Sequence, residues 1–224
     1  MPINMQTHLE QEISSLRMKV LEMAAYAEKA LDKSLRALTE RNSELAQEVI
    51  DKDYEINQLE CEIDEFALRL LALAQPVARD LRFIVGCMRI IVNLERIGDE
   101  AVNISERSML LAHRPPLPFS KPLEQLSQVC LEMLRTAIKA FKDDDSELAD
   151  QVCTADEQAN ELDMTVLRNL IDYMVQQSPA VERSVHSILA SRSLERVGDL
   201  STNIAECVIF IVHGVDVKHR CHRF

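Results

Sequence analysis

Apolar residues return every three or four positions along most of this chain. From about Met5 to Thr39 they fall at Leu9, Ile13, Leu16, Val20, Met23, Ala27, Leu31, Leu35 and Leu38, a spacing that predicts one long amphipathic helix. Glu40-Arg41-Asn42 interrupts it, and Ser43 is placed to cap a second helix, with Ala46 where a capping box would need Glu or Gln. That helix carries Leu45, Val49, Ile56, Leu59, Ile63, Phe66, Leu70 and Leu73 on its apolar face. Pro76 ends it, because proline cannot donate inside a helix and disfavours a helical residue before it. A third helix is expected from about Val77 to Leu111.

The pattern then breaks and restarts. His113 to Pro122 holds four of the chain's seven prolines, which predicts an extended connector and a domain boundary. A fourth helix follows from Leu123 to about Lys142; Asp143-Asp144-Asp145 breaks it, Ser146 is placed to cap a fifth, and a sixth runs from Ala180 to about Val212. Ser43-Glu44-Leu45-Ala46 recurs as Ser146-Glu147-Leu148-Ala149. The same offset matches Val49 with Val152, Asp53 with Asp156, Asn57 with Asn160 and Pro76 with Pro179. The fold expected is all-α: two tandem antiparallel three-helix bundles related by internal duplication. The first bundle spans residues 1–112, the connector 113–122, the second bundle 123–213 and a tail 214–224. The tail carries His219, Cys221 and His222, which reads as a frayed terminus rather than a soft-metal site.

Composition agrees with helices. Of 224 residues, 47% are hydrophobic and only 4% aromatic, and glycine and proline are scarce. The net charge of −12 argues against nucleic acid and anionic lipid, both of which need a basic surface, and suits metal cations or basic protein partners. The first residues lack a basic-then-apolar signal pattern and no stretch approaches the ~20 apolar residues of a membrane span, so a cytoplasmic protein is expected. Six cysteines without a CxxC pair read mostly as reduced core residues.

The polar positions repeat as well. Leu94-Glu95-Arg96-Ile97-Gly98-Asp99, continuing to Asn103, Ile104 and Glu106, returns as Leu194-Glu195-Arg196-Val197-Gly198-Asp199, with Asn203, Ile204 and Glu206. Residues four apart on a helix are offset by about 40°, so Glu95, Asp99 and Asn103 share one stripe, as do Glu195, Asp199 and Asn203. Carboxylates so spaced repel one another, which suggests a cation between them. On the preceding helices Asp53, Asn57, Glu60 and Asp64, and in the second copy Asp156, Asn160 and Asp163, follow a spacing normally reserved for an apolar seam. Folding each pair back at its turn sets Asp53 level with Asp99, Asn57 with Glu95, Asp156 with Asp199 and Asn160 with Glu195, to within two or three residues. Oxygen donors alone suit hard cations such as magnesium, calcium, manganese or iron. The competing reading is a solvated acidic face with Arg96 and Arg196 as salt-bridge partners. Gly98 and Gly198 are read as points of close helix packing.

A doubled three-helix unit with Leu-Glu-Arg-x-Gly-Asp-x-x-x-Asn-Ile on each last helix resembles the PhoU family of bacterial phosphate-signalling regulators. The resemblance spans roughly residues 5–212 and includes Asp53-x-x-x-Asn57 before Pro76 and Asp80-Leu81-Arg82 after it. It implies a cytoplasmic adaptor rather than an enzyme. Such a protein would restrain the phosphate-starvation response and modulate phosphate uptake, linking the ATPase subunit of the phosphate ABC transporter to the phosphate-sensing histidine kinase, and a homodimer is expected. It also implies metal ions (iron, manganese or magnesium) on Glu95, Asp99, Glu195 and Asp199, faced by Asp53, Asn57, Asp156 and Asn160. Where many members have histidine after the motif aspartate, this chain has Glu100 and Leu200, and Asp80-Leu81-Arg82 has no clean counterpart near Arg183. The alternative is an oxygen-ligated metalloenzyme or metal store. A di-iron oxidase would need Glu-x-x-His motifs, and the histidines nearest the acidic motifs are His113 and His186.

Overall fold

The computed structural model describes residues 2–118 and 120–215. Among them are six α-helices: α1 (Pro2–Glu40), α2 (Ser43–Ala74), α3 (Ala78–Ala112), α4 (Ser120–Asp143), α5 (Ser146–Gln176) and α6 (Val181–His213). A single 3-10 turn, Ser178–Ala180, precedes α6 and holds Pro179 at its start. The tail from residue 216, with its His and Cys residues, lies outside the described residues.

The ends of the helices correct two expectations. Asn42, not Ser43, caps α2: its side-chain oxygen accepts from the Glu44 and Leu45 backbone N–H groups at 3.0 and 3.1 Å. Asp145, not Ser146, caps α5 in the same way, at 2.9 and 3.1 Å. Both serines are the first helical residue, one position past the point from which a short side chain can reach back to those N–H groups. The fourth helix also starts earlier than expected. Ser120 to Pro122 form its first turn, where proline's missing N–H costs nothing.

Each repeat closes as an antiparallel three-helix bundle, α1–α2–α3 and α4–α5–α6. The bundles lie side by side, α3 against α6 and α1 against α4, and their apolar residues merge into one core fed by every helix. α3 and α6 run antiparallel: Gly86, early in α3, meets Ile211, late in α6, and Glu100 meets Arg196. Their approach is close at Gly86, where a Cβ would stand 2.4 Å from Ile211 Cγ1.

Arginines fasten the junction. Arg17 of α1 donates to the Phe141 carbonyl at the end of α4 (2.8 Å), pairs with both oxygens of Asp144 (3.0 Å each), and lies over the Phe83 and Phe141 rings. Arg135 of α4 reaches Glu28 and Asp32 of α1. Arg82 and Arg183 prove to be structural counterparts despite the broken sequence offset. Arg82 packs on Gly214 where α6 ends, and Arg183 donates to the Pro115 carbonyl just past the end of α3. A cation beside a helix C-terminus is favourable in each case. The same chemistry places Arg41 on the Leu111, Ala112 and Arg114 carbonyls.

Candidate functional site

The two acidic stripes of the first repeat do meet, along the seam between α2 and α3. Gly98 makes room for Asp53, whose Oδ1 lies 3.3 Å from where a glycine-replacing Cβ would stand; Ile56 Cδ1 is at 3.0 Å. The packing expected of Gly98 is therefore real. At Gly198 the nearest atoms, Ala159 Cβ and the Met133 thioether, are 3.6 to 3.7 Å away, an ordinary contact, so the second glycine is not needed for close approach.

Electrostatics follow from this placement. Burial pushes the Glu95 carboxyl above its ordinary range, and Asp99 and Glu60 push it further. Asp99 is raised by burial, then by Asp53 and Glu100, with Arg196 pulling the other way. Glu60 is raised by burial, then by Asp64 and Asp99. Asn57 donates to Asp53 Oδ2 at 2.9 Å, and Asp53 Oδ1 is buried with no hydrogen-bond partner.

The second seam has the same residues in a different state. Asp156 and Asp163 are 3% and 2% exposed. Asp163 accepts from Ser191 Oγ (2.7 Å) and pairs with Arg192 (2.9 Å). Asp156 accepts from Asn160 (3.2 Å) and Thr202 (3.4 Å). Glu195 is raised by burial and then by Asp199 and Asp163, much as Glu95 is in the first seam. The second seam is thus largely satisfied by the chain's own donors.

Asn103 and Asn203 leave the stripes. Asn103 turns its amide to Glu100 Oε2 at 3.1 Å, and Asn203 faces a groove between α3 and α6. The drift of 40° per four residues accumulates over two steps and carries both side chains toward the neighbouring repeat. Arg196 pairs with Glu100 Oε1 at 3.1 Å across the junction between the bundles. Glu100, noted in the sequence only as standing where many family members have histidine, is the acceptor of this inter-bundle ion pair. The one sequence signal was its repeat counterpart, the apolar Leu200; its burial is seen only in the structure.

Among the described residues no group of three His, Cys, Asp or Glu side chains is placed to hold a metal ion. The first seam does leave the buried Asp53 Oδ1 without a hydrogen-bond partner beside carboxyls that are raised above their ordinary range. In the second seam Asp156 and Asp163 are engaged by Thr202, Ser191 and Arg192.

The repeated unit is that of a known family: the PhoU domain model matches residues 20–108 and again 123–208. The chain belongs to the PhoU family. It is 38% identical over 209 residues to the phosphate-specific transport system accessory protein PhoU homolog of Pseudomonas aeruginosa, covering 93% of this chain and 86% of the relative. It is 31% identical over 208 residues to PhoU of Escherichia coli K12, with the same coverage. The crystal structure of PhoU from Pseudomonas aeruginosa superposes with a TM-score of 0.89 at 37% identity, over 92% of this chain and 99% of that one. That of the phosphate transport system regulatory protein PhoU from Streptococcus pneumoniae gives 0.88 at 27%, over 93% and 99%. The PhoU fold thus extends over both bundles and their junction. Among the described residues no helix is long and apolar enough to cross a membrane.

Proposed function

We propose that this chain is a cytoplasmic adaptor of phosphate transport that holds the phosphate-starvation response off when phosphate is plentiful. It would do so by linking the ATPase subunit of the phosphate ABC transporter to the phosphate-sensing histidine kinase, as a homodimer. The observation that supports this most is the end-to-end match of both bundles to relatives named phosphate-specific transport system accessory protein. Such a role needs surfaces rather than a reaction. Deleting the gene should switch on a phosphate-starvation reporter in phosphate-rich medium, and restoring the intact gene should silence it. A reporter that stays off in the deletion strain would overturn the reading.

The same reading takes in a hard cation, magnesium, manganese or iron, on the first seam, with Asp53, Glu95 and Asp99 as donors and Asn57 beside them. Elemental analysis of the purified protein should find metal that is lost in Glu95→Ala and Asp99→Ala and kept in Asp163→Asn. Metal absent throughout, or equal in all variants, would remove the cation from the proposal.

A further inference from the structure

The repeat offset of one hundred residues pairs Arg96 with Arg196, Asn103 with Asn203 and Glu100 with Leu200. On one side of the α3–α6 crossing the three groups form a closed set. Glu100, 5% exposed, pairs with Arg196 through Oε1 (3.1 Å) and accepts from Asn103 through Oε2 (3.1 Å). On the other side the two donors are kept and the acceptor is gone. Leu200 carries no side-chain oxygen. Among the described residues Asn203 makes no side-chain hydrogen bond, and Arg96 attracts Glu60 and Glu95 without forming an ion pair with either.

Arg96 and Asn203 line one opening, a groove of about 630 Å³ between α3 and α6. Its charged lining is two guanidinium groups, Arg89 and Arg96, against one carboxylate, Glu206; the carboxylates of the first seam do not line it. The groove is therefore locally cationic in a chain of −12. Arg89 lies over the Phe210 ring at 4.8 Å, and both Arg89 and Glu206 are engaged by other groups. Arg96 and Asn203 are the donors left over. A guanidinium beside a carboxamide offers several N–H groups to one acceptor, which suits a group with two or more oxygens and a negative charge. A bare ion would leave most of the volume unused, and Met88, Val92 and Phe210 supply apolar surface for the rest of a ligand.

We infer that Arg96 and Asn203 form an oxyanion site for a small organic anion. Its carboxylate or phosphate group takes the place that the Glu100 carboxylate fills in the other half, and its planar or apolar body lies on Met88, Val92 and Phe210. The inference goes beyond the adaptor reading and does not depend on it. A tethered carboxylate tests the geometry with no ligand at all. Leu200→Glu restores the missing acceptor, so in the otherwise unaltered full chain it should lower the folding equilibrium constant at least tenfold less than it does alongside Arg96→Gln, by urea unfolding at pH 7. An equal loss in the two backgrounds would overturn the inference. Isothermal titration calorimetry at fixed ionic strength, with adenosine 5′-monophosphate, benzoate and inorganic phosphate as probes, tests the site itself and does not need the Leu200 variant to fold. At least one of the two organic anions should bind once per chain at millimolar concentration or below, and at least tenfold more weakly to Arg96→Gln. Binding of neither organic anion, binding that survives Arg96→Gln, or inorganic phosphate binding as tightly as the organic anions would each overturn it.

Discussion

Glu48 and Glu95 are carboxylates on neighbouring helices whose surroundings drive them in opposite directions. Glu48 accepts from Lys33 and Lys52 at 2.5 and 2.9 Å, and these bonds hold its carboxyl down at about 2. Its contribution to stability is present above its ordinary value of 4.5 and is lost as pH falls toward about 2. Glu95, Asp99 and Glu60 are raised instead, first by burial and then by neighbouring carboxylates. The folded state holds their protons more tightly than the unfolded state does, so stability should fall as pH rises through the ordinary carboxyl range and beyond. Thermal unfolding followed from pH 3 to 7 should show both effects. Glu95→Gln with Asp99→Asn should flatten the decline on the upper side, and Glu48→Gln should flatten the loss on the acid side. The two glutamates differ in the charges around them, lysines of α1 and α2 at Glu48 and carboxylates of α2 and α3 at Glu95.

At the scale of the helix, three glycines in α-helices answer differently to the same substitution. A Cβ on Gly86 would lie 2.4 Å from Ile211 Cγ1, so Gly86→Ala must displace a buried side chain at the α3–α6 crossing. The expected net cost is about 1–2 kcal/mol, the overpacking penalty outweighing the gain in helix propensity. Gly198→Ala meets only ordinary contacts and should stabilise by about 0.5–1 kcal/mol. Gly98→Ala, at 3.0 Å from Ile56 Cδ1, should fall between them. Urea unfolding of the three variants tests that order. Helix ends follow a similar logic: Arg17→Ala removes a carbonyl cap, an ion pair and two ring contacts at the end of α4, and should cost about 1–3 kcal/mol by the same measurement. Helix periodicity marks these residues as ordinary exposed or spacer positions. Only the approach of another helix gives them their roles.

Across the whole molecule the duplication is faithful in backbone and unequal in charge. The first seam keeps a buried, unpartnered Asp53 oxygen, while the second is closed by Ser191, Arg192, Asn160 and Thr202. At the junction, Arg196 crosses to the buried Glu100, but Leu200 stands where the reciprocal acceptor for Arg96 would be. Removing the arginine alone strands a buried carboxylate, so Arg196→Ala should lower stability by about 1–3 kcal/mol, the low end reflecting its exposed side chain. Glu100→Leu, which copies the second repeat, should be close to neutral, because it removes the desolvated charge together with its need for a partner. Differential scanning calorimetry of the two variants distinguishes a stabilising bridge from a tolerated one.

The six helices, the doubling and the face-to-face register of the acidic stripes were all legible in the sequence, because each rests on local rules. A period near 3.6, a proline or a short polar run at each break, and the geometry of folding back at a turn are properties of neighbouring residues, although the capping residue itself was placed one position late at Ser43 and Ser146. The family motif was legible for the same reason, being a run of fixed spacing on one helix. What the tertiary structure decided is which helices become central. α3 and α6 bury serines as well as leucines, so the apolar pattern alone understates how much of each helix is covered. Periodicity tells which side of a helix avoids water, but not whether that side meets its own bundle or the next. For that reason the antiparallel α3–α6 contact, the shared core, the Glu100–Arg196 bridge and the difference between the two seams appear only once both repeats are packed together.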